Sequence, residues 1–444
     1  MKYSSLLMIS LSLLVFISCK KETQSNPSGY CQYGKPVSSI PAIEDLVIYE
    51  VSLRAFSNAG NLAGVTERLQ EIKALGVNTI WLMPIYTEGV LNNFHNPYCV
   101  KNFKEVSAEY GSLADLRKLI DQAHALNMIV ILDWVANDTS WDNPWITEHD
   151  DWYTKNSDGQ IITGVGSTVA KLDFSNLAMQ DAMIDAMKYW VLVANVDGFQ
   201  CSWADRVPFT FWNKAISDLK KIPNRHLLFV SDGTKSEYYT AGFDLTFSRE
   251  FKYHLNYCWA AAPASNLYFN HILEYLSVPY GKHKLRYTTY HEESNPITQF
   301  NGLDGALAAS IPTIFMYGVP LIYSGQEVGC PMYPNLNPQS FIDWNANPSM
   351  LKNYKDVMAF YTSSEAARKG SVSNFSNSAV VFFKKARDAE ELLVMTNTHN
   401  VDVTFSIPLE FQVKHWVNAL TNESITLSSE LHLSPFQFLL LKNE

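Results

Sequence analysis

The sequence predicts an α/β fold in which a parallel sheet is covered by helices, followed by a separate all-β domain. Three observations carry that expectation. From residue 46 onward, short β-branched runs alternate with amphipathic segments at helical spacing, the pattern of strands joined by crossover helices. After about Lys369 the helical period disappears and strand-like runs follow one another directly. At 444 residues the chain exceeds what one compact core ordinarily fills, which calls for a large domain and a smaller one.

The strand candidates of the first domain are residues 47–51, 79–83, 129–133, 196–201, 227–231, 284–288 and 320–324. Helices lie between them. In GVTERLQEIKAL, residues 64–75, the side chains of Val65, Leu69, Ile72 and Leu75 share one face and Gly76 supplies the stop. Residues 113–126 and 177–193 repeat that pattern. In the second domain the strand-like runs are 379–384, 391–396, 401–407 and 436–441, which read as a separate all-β domain. The expected boundaries are therefore 41–368 and 369–444, with no internal repeat in either part.

Composition narrows the partners. The chain is 47% apolar and 18% charged, with a net charge of −10, and it has no cluster of Lys and Arg of the kind that phosphate backbones require. A nucleic-acid partner is excluded on that ground. At the N-terminus, Met1 and Lys2 precede an apolar run, residues 6–17, that ends in Ser18 and Cys19. The run is too short to span a bilayer and reads as a signal peptide over residues 1–18. A Cys directly after a small residue resembles the lipobox of bacterial lipoproteins, although Phe16 stands where Leu is usual. In that reading Cys19 is lipidated, residues 19–40 hold the anchor and a polar tether, and the protein sits in the bacterial cell envelope, at the outer membrane or cell surface. A plain secretory signal is the alternative. The other cysteines, Cys31, Cys99, Cys201, Cys258 and Cys330, show neither disulfide-scaffold nor metal-site spacing and are expected to be mostly buried thiols.

Ordered motifs run through the rest of the chain: VIYEVSLRAFS, LGVNTIWLMPI, NPYCVKNFKEVSAEYGSLADLRKLIDQAHALNM, ILDWVAND, VDGFQCSWADRVPFTFW and GVPLIYSGQE. Together they resemble the alpha-amylase family of glycoside hydrolases over essentially the whole mature chain. The resemblance implies a (β/α)8 TIM barrel with the substrate site at the C-terminal ends of its strands, a C-terminal β-sandwich, and an α-glucan such as starch, maltodextrin or a maltooligosaccharide as partner. It also implies that the domain some members insert after the third strand is reduced here, because residues 139–176 are few.

Carrying the family's chemistry over residue by residue exposes a deficit. Retaining glycosidases need two carboxyl groups about 5 Å apart, a nucleophile and an acid/base. By resemblance the nucleophile position is Ser202, and the supporting Arg position two residues earlier is Gln200. A serine hydroxyl without a base is a poor nucleophile, and a glycosyl ether to it resists hydrolysis. The acid/base position falls on Asp232, one methylene shorter than the Glu of the family, and the third carboxylate on Glu292 instead of Asp. Tyr290 replaces the Asn beside it, while His291 is kept as a partner for sugar hydroxyls. Asp138 stands where a His would meet the sugar, Asp133 remains, and Tyr98 occupies the place of the aromatic that stacks on the ring. Taken alone, Tyr98 reads as a packing aromatic and Asp133 as an organiser of the strand ends. The resemblance allows a calcium ion through Asn137, but no set of carboxylates is identifiable around it, so no metal or cofactor is assigned.

Three readings follow. The first is a family member that binds α-glucan but is inactive or severely impaired in hydrolysis. The second is an inverting hydrolase in which Glu292 or Glu293 activates a water and Asp232 is the acid, which needs carboxyls about 6.5–9.5 Å apart. The third is a surface scaffold for protein partners.

Overall fold

The computed structural model describes residues 29–93, 95–164, 166, 168–330 and 341–444. Cys19 and the signal-peptide run lie outside the described residues, and so does the first part of the expected tether. From Tyr30 on, that tether is instead docked. Tyr30 donates its hydroxyl to Asp185 at 2.7 Å, the Tyr33 amide bonds the Leu192 carbonyl at 2.7 Å, and Arg117 lies 4.1 Å over the Tyr33 ring. The polar stretch read as a flexible tether, residues 20–29, lies outside the described residues apart from Gly29, and these two tyrosines fix the segment that follows it to the barrel helices.

Eight parallel strands close into a barrel: β1 (Ile48–Val51), β2 (Thr79–Leu82), β3 (Ile129–Val135), β4 (Gly198–Ser202), β5 (Leu228–Ser231), β6 (Leu245–Phe247), β7 (His283–Arg286) and β8 (Val319–Tyr323). Each pairs in parallel with its neighbours in chain order, and β8 returns to β1 with Ile48 opposite Leu321. Strand side chains alternate between the barrel interior and the helix layer. Ile48, Trp81, Ile129, Ile131, Leu228, Val230, Leu245, Phe247, Leu285, Val319 and Leu321 fill the interior, whereas Tyr49, Val51, Ile80, Leu132 and Phe199 pack outward under the helices. At Gly198, φ is +150° and a Cβ would stand 2.0 Å from the Leu228 carbonyl oxygen, so the entry into β4 requires glycine.

The seven marked strands are all present, with ends that differ by at most two residues. The sequence reading missed β6, whose three residues are too few to show a period. The helix expected at 64–75 is two helices, Leu62–Glu67 and Leu69–Lys73, because Arg68 between them has φ −103° and ψ 7°. The helix Leu113–Ala125 starts on a capping box in which Ser112 and Asp115 satisfy each other's backbone amides. The helix Leu177–Tyr189 ends in a π turn, Trp190–Ala194, that closes on left-handed Asn195. After β3, the described residues of the 139–176 loop carry one short strand pair, Asp138–Ser140 with Val169–Lys171, and isolated bridges beside it.

Beyond the helix Glu365–Lys369 lie β9 (Ser371–Asn374), β10 (Val380–Arg387), β11 (Glu390–Asn397), β12 (Val403–Ser406), β13 (Trp416–Asn418), β14 (Ser424–Ile425), β15 (Glu430–Leu433) and β16 (Phe438–Asn443). Six form an antiparallel sheet in the order β9-β10-β11-β16-β13-β14, and β12 pairs with β15 as a second, smaller layer. One face of the large sheet, with Phe382, Leu393, Met395 and Trp416, makes the core of this domain. The other face, with Val381, Phe383, Leu392 and Val394, joins the core of the barrel, so the two domains share a continuous apolar contact.

Candidate functional site

Interior-facing parity brings the last residues of the strands together at the C-terminal mouth of the barrel. Glu50 on β1, Asp133 on β3 and Ser202 on β4 all point inward there, and Asp232 follows directly on β5. The loop after β7 adds Tyr290, His291 and Glu292.

A buried hydrogen-bond chain links six side chains. The Ser202 hydroxyl donates to Asp133 Oδ1 at 2.8 Å and also lies 3.0 Å from Gln200 Oε1; with one hydrogen it serves one acceptor at a time. The Tyr98 hydroxyl donates to Asp133 Oδ2 at 3.3 Å and sits 2.7 Å from His291 Nε2. His291 Nδ1 is 2.5 Å from Glu50 Oε1. If Tyr98 gives its proton to Asp133 and Glu50 is ionised, both ring nitrogens of His291 must donate, which makes it an imidazolium. Burial pulls the His291 pKa down, but the charge and hydrogen bond of Glu50, with Asp133 and Glu292 behind it, hold it above the ordinary value. Burial also raises Glu50, and it pushes Asp133 up to about 7 against the opposing pull of His291, Ser202 and Tyr98.

Asp232 is engaged elsewhere. One of its oxygens accepts the backbone N–H of Trp203 at 2.7 Å and the other that of Ala204 at 2.8 Å. This clasp depends on Trp203 standing in the left-handed region, φ 50°, which turns two successive amides toward the carboxylate. Burial raises Asp232 to about 6, and the two amides with Arg249 offset only part of that. Arg249 reaches from Asp232, whose carboxylate lies 3.6 Å away, to the Tyr290 hydroxyl at 3.1 Å, and Tyr290 in turn donates to Glu292 at 2.7 Å. An arginine and a tyrosine therefore bridge the two carboxylates that would have to face each other across a water.

The aromatic expected to stack on a sugar is covered. The Tyr98 ring lies against His291, with centroids 5.2 Å apart and planes 21° apart, and against Trp203 at 5.4 Å. Tyr98 is 4% exposed, Ser202 4%, Tyr290 3% and Asp133 0%, so the innermost pocket is closed by side chains of the described residues. Glu292 and Arg249 are the members of the site that reach furthest into solvent.

Not every sequence candidate converges on this point. Asp138 lies in the short strand pair beside β3, where Asn137 donates to it at 2.5 Å and Gly164 packs on its carboxylate closely enough to exclude a Cβ. Asp205 turns outward and accepts from Tyr238 at 2.7 Å. Around Asn137, whose buried Oδ1 has no partner, the described residues bring together no three acidic, His or Cys side chains, so the donor set does not fit calcium. Glu50 and Arg249 were overlooked in the sequence. Glu50 carried a readable signal, an acid at an interior position of an apolar strand. Arg249 lay too far along the chain to be connected with Asp232.

A closed eight-stranded barrel with carboxylates, a histidine and aromatics gathered at its C-terminal mouth, followed by an antiparallel sheet domain, defines a barrel protein of the glycoside hydrolase type. The family profile described as "Alpha amylase, catalytic domain" matches residues 23–160. Alpha-amylase MalA of Haloarcula japonica is 28% identical over 312 residues, 66% of this chain and 46% of that protein. Alpha-amylase 2 of Dictyoglomus thermophilum is 24% identical over 374 residues, 78% of this chain and 66% of that protein. The chain thus spans about half the length of the first relative and just under two thirds of the second. The crystal structure of an alpha-amylase from Lactobacillus plantarum matches with a TM-score of 0.80 at 26% identity, covering 91% of this chain and 100% of that one. Over most of its length the chain is similar to members of the alpha-amylase family of glycoside hydrolases.

Proposed function

We propose that this protein is a non-hydrolytic, α-glucan-binding member of its family, held in the bacterial cell envelope through a lipid on Cys19. The observation that carries the reading is Ser202: at the end of β4, where a carboxylate must attack the anomeric carbon, a hydroxyl is hydrogen-bonded to Asp133. The clasp on Asp232 supports it, because a carboxylate held by a backbone amide on each oxygen and facing Arg249 is poorly placed to hand a proton to a leaving oxygen. The names of the relatives support the substrate class. With Tyr98 covered, glucan contact falls on the rim of the mouth and not in the innermost pocket.

The test is a calorimetric titration with maltooligosaccharides beside a sensitive reducing-sugar assay. Weak binding, with Kd between about 1 mM and 1 μM, and no product are expected. Turnover of maltodextrin that disappears in Asp232→Ala would overturn the proposal. The covered pocket also favours a second reading, a surface scaffold for protein partners, and absence of any maltooligosaccharide binding selects it.

A further inference from the structure

The rim of the mouth carries a cleft that no feature of the catalytic chemistry uses. It has a volume of about 570 Å³, within the range of roughly 300–1,000 Å³ that small-ligand sites occupy. Its lining comes from Asn58, just beyond β1, from Arg68 and Glu71 in the helical stretch between β1 and β2, and from the segment 341–345 with Leu351, which follow β8 in the chain. Because β1 and β8 are neighbours in the barrel, these loops meet at one place on the mouth.

The segment 341–345 is pinned in place. The Ile342 amide bonds the Ala55 carbonyl at 2.9 Å, and the Trp344 indole N–H donates to the Phe56 carbonyl at 2.9 Å. Trp344 also packs on the Phe56 ring, at 4.9 Å between centroids, and under the Arg68 guanidinium at 4.2 Å. The indole therefore forms one wall, while Phe341, 40% exposed, offers a second aromatic surface.

The polar groups say what sort of ligand fits. Arg68 is already paired with Glu71, and Asp343 adds another acid, so the cleft presents no spare positive charge to an anion. Among the described residues, the side-chain amides of Asn58 and Asn345 have no hydrogen-bond partner, and each offers a donor and an acceptor to the cleft. Aromatic surface for C–H faces together with amides and a carboxylate for hydroxyls suits a neutral, polyhydroxylated molecule.

We infer that this cleft between Asn58 and the 341–345 segment is a carbohydrate-binding site, and, resting on the glucan reading above, that its ligand is an α-linked gluco-oligosaccharide. It holds the glucan beside a mouth whose own innermost pocket is closed.

The experiment is a titration of the full chain with maltoheptaose, with cellohexaose as the β-linked arm. It is repeated on Phe341→Ala and Asn345→Ala, two changes at exposed positions, and on Trp344→Phe, which keeps an aromatic wall. Each variant is first checked for an unchanged unfolding midpoint. The expected result is maltoheptaose binding weakened at least tenfold in Phe341→Ala and threefold or more in the other two. If the native chain binds maltoheptaose and all three variants bind equally well, the cleft assignment is wrong while the glucan reading survives. Preference for cellohexaose, with the same losses in the variants, keeps a carbohydrate cleft and rejects the α-glucan assignment. No binding of either sugar to the native chain removes both.

Discussion

Ser202 Oγ lies 2.8 Å from Asp133 Oδ1, with both residues buried at the mouth of the barrel. The hydroxyl stands where a nucleophile would need a charge of its own, and it donates to a carboxylate that already has the place of an anion. No arginine backs the pair from β4, because position 200 is Gln, so a second acid there would have to share with Asp133 the one cation already engaged, His291.

Ser202→Asp is therefore expected to be less stable than the native chain by about 1–3 kcal/mol and to remain without hydrolytic activity. Adding Gln200→Arg supplies a cation between the two acids and is expected to recover part of that loss. Chemical denaturation and a reducing-sugar assay check both. If Ser202→Asp alone cleaves maltooligosaccharides, the geometry assigned to Asp232 here is mistaken.

Asp232 owes its position to the amides of Trp203 and Ala204, which makes it a stability determinant. An Asn in its place can accept only one of the two and would point its own N–H at the other. Asp232→Asn is expected to cost about 1–3 kcal/mol, since one buried amide is left unpaired. Asp232→Ala leaves both unpaired and costs more. A neutral effect of Asp232→Asn in urea unfolding would mean that the clasp does not persist in solution.

The parts of this arrangement that could be read from sequence are those carried by motif order and strand composition. Ser202, Gln200 and Asp133 were located by the motifs that carry the family resemblance, and seven barrel strands stood out by their β-branched runs. What stayed hidden depends on single torsions and distant contacts. The left-handed turn at Trp203 that redirects Asp232 has no glycine to announce it, and Tyr98 reads as a platform until His291 and Trp203 are seen against its ring. The break at Arg68 is equally silent, with neither Pro nor Gly at that point of the helix.

The proton inventory of the mouth gives a pH signature. Burial first, then Glu50, raises Asp133 to about 7, above the range of an exposed carboxylate, so between about pH 4 and 7 the folded chain holds a proton that the unfolded chain releases. This group's contribution to stability is therefore greatest at acid pH and declines as pH rises through 7. Asp133→Asn cannot titrate and lacks that decline. The stability gap between native chain and variant is expected to narrow steadily from pH 5 to pH 8, as read by thermal melts at unit intervals. A gap that is constant or widens over that span contradicts the assigned direction.

Lys385 gives the opposite sign from a different place. It lies on β10, 1% exposed, with its ammonium bonded to the Ala367 carbonyl and 5.8 Å from the centre of the Tyr317 ring. Burial lowers its pKa to about 7, and no carboxylate compensates. Between about pH 7 and 10 the unfolded chain binds a proton that the folded chain does not, so this group's contribution rises with pH across that window. Met has a similar length, no charge to desolvate, and fits the apolar contact between the two domains. It gives up one hydrogen bond, which costs about 1 kcal/mol, against the larger penalty of keeping an ammonium buried. Lys385→Met is accordingly expected to match or exceed the native chain in stability at pH 7 and to lose that advantage progressively toward pH 10. Measuring urea midpoints at both ends of the window decides it: an advantage that grows with pH would show that Lys385 is charged and stabilising where it lies.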